Sequence, residues 1–231
     1  MFPLKDLTPR RSFPVVTLLL ILINIAVFAY QLSLAPKAGE ALINTYGLVP
    51  HKIELAFQGK RYTPEQALLP LVTCMFLHGG FLHIIGNMWF LWIFGGNVED
   101  SFGAIPYLSF YMLCGVGSGI AQAMFSWGSH VPSIGASGAI SGVLGAYLIL
   151  YPASRILTLV PIIIIPWMVR LPAFVFIGLW FVLQFLSGLN SLDPRVAASA
   201  GGVAWWAHVG GFLLGALIAI PVRAHGRRAD I

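Results

Sequence analysis

Two residues define the chemistry this chain could perform. Ser137 lies in Gly135-Ala136-Ser137-Gly138, where an apolar run begins, and His208 lies in 207–215, A-H-V-G-G-F-L-L-G. A serine hydroxyl is a weak nucleophile until a base takes its proton, and a neutral histidine is the usual base. Brought together, the two would carry out acyl transfer. The tetrahedral oxyanion of that reaction needs donors. His83 and Asn87 are four residues apart on one apolar segment, so they share a helix face and offer side-chain donors. A serine at a helix N-terminus adds its own free backbone N–H. His78, nearer the surface, is a further candidate. No Asp or Glu falls within a predicted span except the end-capping Glu99–Asp100 pair, so the expected unit is a Ser–His dyad without an acidic member.

Glycines must let the two residues meet. Gly138, Gly142 and Gly145 recur at spacings of four and three, and Gly211 and Gly215 share a face with His208. In a membrane such flat faces allow very close helix approach. The expectation is a glycine-to-glycine contact between the helix that follows Ser137 and the helix that carries His208. Small residues at this spacing pack membrane helices in general, so no single motif carries the reading; the joint pattern does.

The elements that position these residues are membrane helices. Of 231 residues, 58% are apolar and only 9% charged. A soluble domain carries roughly a quarter charged residues. Too few polar residues remain to cover a core, so lipid must be the outer solvent. The net charge of +5 sits mostly in the tails and reads as orientation, not as nucleic-acid binding. Cys74 and Cys114 lie in apolar runs and read as buried thiols.

Six spans are expected, at about 14–32, 81–98, 105–125, 137–151, 171–186 and 203–222, inside a domain 14–222 with tails 1–13 and 223–231. The first is read as a retained span and not a cleaved signal. The connection 33–70 is amphipathic and expected to fold on the membrane surface. The stretch 156–167 is apolar, broken by Pro161 and Pro166 and fenced by Arg155 and Arg170. It is too short to cross as a helix and is read as an interfacial or re-entrant connection. The segment 187–202 is rich in small residues and is a candidate mobile cap. Aromatic residues of the fifth span, Trp180 and Phe181 among them, are candidates for a substrate gate. Eight of the thirteen Lys and Arg residues fall in the two tails and the fourth-to-fifth connection, so both termini are expected to be cytoplasmic. The fold class is therefore all-α and polytopic, a six-helix bundle whose short fourth helix starts inside the membrane.

That topology produces a coincidence of depth. Asn87 and His208 each lie five or six residues below the start of a descending helix, roughly 8–10 Å deep at 1.5 Å per residue. The fourth helix spans roughly 22 Å of a core of about 30 Å, which puts its upper end, Ser137, about 8 Å below the surface.

With these residues in place the chain resembles the rhomboid intramembrane serine proteases. The matching pieces are His83-x-x-x-Asn87, Gly135-Ala136-Ser137-Gly138 and Ala207-His208-x-x-Gly211-x-x-x-Gly215, in the family's order. The resemblance implies Ser137 as nucleophile and His208 as base. It implies an oxyanion- and substrate-stabilising set of His83, Asn87 and Gly135. It also implies no metal, no nucleotide and no cofactor, with transmembrane-protein substrates cut near the outer leaflet and a bacterial cytoplasmic membrane as the setting. Some members carry a tyrosine one turn after the serine, packed on the histidine; here that position is Ser141. The alternative is a non-catalytic rhomboid-like binding or trafficking protein, but such relatives typically lack the serine or the histidine. A transporter would favour a charged path or repeated halves. A zinc protease would need His-Glu-x-x-His, and an aspartyl protease buried aspartates; the sequence has neither.

Overall fold

The computed structural model describes residues 1–162, 165–192 and 203–224. Its elements in order are β1 (Phe2–Asp6), α1 (Val15–Ser33), α2 (Pro36–Tyr46), α3 (Pro50–Phe57), α4 (Pro64–Leu68), α5 (Pro70–Thr73), α6 (Phe81–Phe102) and α7 (Ala104–Phe125). Then come α8 (Ser137–Leu150), β2 (Arg155–Ile162), β3 (Ile165–Pro172), α9 (Ala173–Asn190) and α10 (Trp205–Ala224). Five of these, α1, α6, α7, α9 and α10, are long and apolar enough to cross a membrane, and α8 is apolar but shorter. The protein is a multi-pass membrane protein.

The acidic pair at 99–100, expected to end its own helix, does something else. The α6 helix runs through both residues to Phe102. The first N–H groups of any helix lack internal acceptors. Here Glu99 supplies them for α1: its carboxylate accepts from Val16 N (2.9 Å), Thr17 N (2.8 Å) and Thr17 Oγ1 (2.8 Å). Asp100 accepts from Arg11 N at 3.0 Å. Two helices are thereby tied by one buried carboxylate. One residue, Gly103, joins α6 to α7; at φ +83° it makes the reversal that an L side chain would strain.

The centre of the bundle is α8. Ten consecutive residues, Gly138 to Tyr147, are buried. The neighbours that cover the helix are α6, α7, α9 and α10. The glycines decide how closely. A Cβ on Gly211 would run into the carbonyl of Gly138, and one on Gly215 into the carbonyl of Gly142. A Cβ on Gly145 would meet the carbonyl of Phe212. Gly138 and Gly142 themselves point at α7, where a Cβ would strike the side chains of Ser118 and Cys114. The glycine stripe of α8 thus serves two neighbours, not one.

The stretch 156–167, read as an interfacial or re-entrant connection, is strand where it is described. It forms the greater part of two antiparallel strands paired from Arg155↔Pro172 to Ile162↔Ile165. The alternation and β-branched content of R-I-L-T-L-V-P-I suit a strand, and Pro161 and Pro166 sit opposite each other near the hairpin end. The segment 1–13, read as a short polar tail, carries a strand. Its strand β1 completes the sheet in the order β1-β2-β3, with Phe2↔Leu159 and Asp6↔Ile156. Trp89 of α6 donates to Pro3 O at 2.6 Å, and the Asn97 amide donates to Asp6 and Thr8, so β1 lies along α6. The fifth helix starts at Ala173, two residues later than expected, because Leu171 and Pro172 belong to β3. It runs to Asn190, so part of the expected cap is helix; residues 193–202 lie outside the described residues, as do Arg227 and Arg228.

The close approach predicts a contrast. Gly215→Val must push α10 off α8 and should cost about 1–3 kcal/mol or more, seen as a lower thermal unfolding temperature in detergent. Gly178→Val, in α9 where nothing lies within 4 Å of the added Cβ, should unfold close to the wild type.

Candidate active site

Ser137 is the first residue of α8 and His208 lies in the first turn of α10. The glycine contact brings these two helix starts side by side. Ser137 Oγ is 2.8 Å from His208 Nε2. The start of α10 is itself pinned from α7: Gln122 Oε1 accepts from Ala207 N at 3.1 Å. Both residues border a cavity of about 550 Å³, shared by His83, Asn87, Ser141 and Trp180.

The tautomers of the imidazoles follow from partners that can act in only one way. Gly79 N–H can only donate, and it lies 3.4 Å from His83 Nδ1, so Nδ1 accepts and the proton is on Nε2. That Nε2–H faces Gly135: a Cβ there would lie 2.6 Å from it and 3.4 Å from Asn87 Nδ2. The Asn87 amide can only donate to His78 Nε2, at 3.0 Å. One amide hydrogen goes to His78 and the other is left for the cavity. Burial pushes the His78 imidazole down to about 4, so His78 is a neutral acceptor at ordinary pH. On His208, Gln184 Oε1 lies 2.7 Å from Nδ1. An amide oxygen accepts, so Nδ1 carries the proton and Nε2 presents its lone pair to the serine.

Four of the residues named from the sequence, Ser137, His208, His83 and Asn87, line one cavity, and Gly135 lies against His83 and Asn87 beside it. His78 stands behind Asn87 and does not line the cavity. Ser141 turns back on its own helix, donating to Ser137 O at 2.6 Å. Gln184 was missed. Its signal was available, as one amide in an apolar run, but the search was for an acid. The aromatic residues of α9 divide. Phe176 packs on Phe90 and Phe94, Trp180 and Phe181 on Phe212, and Phe174 is exposed. No group of three or more potential metal ligands occurs among the described residues.

A polytopic bundle with a serine and a histidine joined across two glycine-packed helices is a narrow class. A family model described as the Rhomboid domain matches residues 65–225. Among curated proteins, the chain is 34% identical over 100 residues to RHOMBOID-like protein 5 of Arabidopsis thaliana, covering 43% of this chain and 32% of that protein. It is 32% identical over 157 residues to Rhomboid protein 1, mitochondrial, of Saccharomyces cerevisiae, covering 64% and 40%. It is 40% identical over 85 residues to Rhomboid protease GluP of Bacillus subtilis, covering 37% and 16%. The aligned stretches thus span well under half the length of these relatives. The chain belongs to the rhomboid family.

Gly135 carries a second prediction. At φ +118° it holds a backbone shape that L residues rarely adopt, and its Cβ direction is filled by His83. Gly135→Ala should cost about 1–3 kcal/mol from the backbone strain alone, with a further steric cost. Adding His83→Ala should recover the steric part, so a double-mutant cycle on unfolding in detergent should give a coupling between the two sites.

Proposed function

We propose that the chain is an intramembrane serine endopeptidase that cuts transmembrane segments of membrane-protein substrates near the outer leaflet. The observation that carries this reading is the 2.8 Å contact between Ser137 Oγ and His208 Nε2 at a cavity that also holds two oriented donors. His208 Nε2 takes the hydroxyl proton as Oγ attacks the scissile carbonyl carbon. The oxyanion is received by Ser137 N–H, the free hydrogen of Asn87 Nδ2 and His83 Nε2–H. The proton on Nε2 then passes to the leaving amine as the C–N bond breaks. Water, deprotonated in turn by His208, releases the acyl group from Ser137. No metal or cofactor has a part in these steps.

On this reading α8, fourth in chain order, brings the crossings of the bundle to six. Its 14 residues rise about 21 Å, so its Ser137 end begins below the outer surface while its other end reaches the inner one. Both termini are cytoplasmic, in a bacterial cytoplasmic membrane, and the substrate arrives sideways from the lipid.

The test is cleavage of a transmembrane substrate by the purified chain. Ser137→Ala and His208→Ala should each abolish it with unfolding temperatures near wild type. Asn87→Ala should cost on the order of 10²–10³ in rate. A serine-directed fluorophosphonate should label Ser137, and only when His208 is present. A Ser137→Ala protein that still cleaves, or a label on another serine, would sink the proposal.

A further inference from the structure

Gln184 takes no part in the steps above, yet it makes the shorter of the two hydrogen bonds to His208, 2.7 Å against 2.8 Å to Ser137. It sits in α9, a helix of mean hydropathy 1.8 over its apolar window. A polar amide placed there costs free energy unless it is partnered. Its partner is the outward nitrogen of the base. Oε1 holds the Nδ1 proton, so Nε2 is bare and aimed at Ser137. Trp180, one turn earlier on the same helix, lies 6.1 Å from the imidazole. Trp205 meets the ring edge-on at 6.1 Å. Ser141 makes no hydrogen bond to the ring in the structure; its hydroxyl donates to Ser137 O.

We infer that Gln184 is the positioning residue of this site: its amide oxygen selects the tautomer of His208 and fixes the plane of the ring, with Trp180 as a side wall. The inference rests on the reading of Ser137 and His208 as a catalytic pair. A neutral imidazole can carry its proton on either nitrogen, and only one form can accept from serine. Without an acceptor at Nδ1, the ring populates the wrong tautomer and is free to turn about its side-chain bonds. A misplacement of this kind costs up to about 10²-fold in rate.

The experiment compares Gln184→Leu and Gln184→Glu with the wild type in two assays, cleavage of a transmembrane substrate and labelling of Ser137 by a small fluorophosphonate. The second needs no entry of a transmembrane helix from the lipid. Gln184→Leu should lower kcat by 10- to 100-fold with KM changed less than about twofold, and should slow labelling by a similar factor. Gln184→Glu keeps an acceptor oxygen at the same reach and should restore both to within about threefold. Wild-type rates in Gln184→Leu would overturn the inference. So would a loss confined to the transmembrane substrate, which is the signature of a residue that only lines the entrance, or a failure of Gln184→Glu to rescue. Ser137→Ala runs alongside: if it cleaves, the catalytic pair itself is wrong; if it is dead while Gln184→Leu is unimpaired, only the positioning role falls. Should Gln184→Leu not fold, nitrogen-15 spectra of the wild-type histidines decide. His208 must be protonated at Nδ1, and the opposite tautomer refutes the role.

Discussion

The contact on which this structure depends is backbone against backbone. The carbonyls of Gly138 and Gly142 occupy the space that side chains on Gly211 and Gly215 would need, and the carbonyl of Phe212 does the same at Gly145. Ser137 and His208 are 71 residues apart in sequence. A hydrogen bond between two short side chains can span them only if their helices nearly touch. In lipid, where burial of apolar surface gives no drive toward association, such packing rests on dispersion and close fit. The same α8 carbonyls that receive α10 leave the Cβ directions of Gly138 and Gly142 to α7. The helix that carries the serine is therefore held on two sides by glycine.

Once the helices meet, the site is ordered by one-way hydrogen bonds. A backbone N–H fixes His83 as a donor toward the cavity, and an amide oxygen sets His208 as an acceptor toward Ser137. Two residues of one type thus take opposite roles at one cavity. An amide does here what a carboxylate does elsewhere, at lower electrostatic strength but without the cost of a charge in the membrane.

The parts legible in the sequence were those carried by length, apolarity and glycine spacing. Each of the apolar runs read as spans lies on a helix in the structure, with ends displaced by a few residues, because a run of about 20 apolar residues admits few other structures in lipid. The strands were hidden because 156–167 is apolar yet too short to cross as one helix, which does not by itself tell a strand from an interfacial turn. Two adjacent eight-residue strands satisfy the same apolarity, and the third strand of the sheet, β1, lies at the far end of the chain, beyond any local pattern. The role of Glu99 was hidden for a similar reason. A carboxylate at a helix end looks local, whereas its acceptor capacity is used by Val16 and Thr17, 83 and 82 residues away. Gln184 escaped because an uncharged amide adds little to a charge count, although its cost in an apolar helix is comparable in kind.

The two ends of the bundle are built for different purposes. At the end away from Ser137, polar groups tie everything together. Glu99 holds α1, Tyr151 lies 2.6 Å from Ser101 and donates to Asn97 O, and Thr8 reaches both Tyr147 and Ser154. The sheet closes over α6 on the same side. At the other end α6 and α9 have little to say to each other. Phe176 meets Phe90 and Phe94, but Gly86, which lines the cavity, has nothing within 4 Å of its Cβ direction, and the same is true of Gly178 on α9. Leu82 is 88% exposed. Stability concentrated at one end leaves the other free to part without unfolding the rest, which is the distribution expected where a binding site must open. The base of the proposed dyad is oriented from α9, the helix that borders this gap. On the proposed reading, a displacement of that helix would reach His208 through one amide.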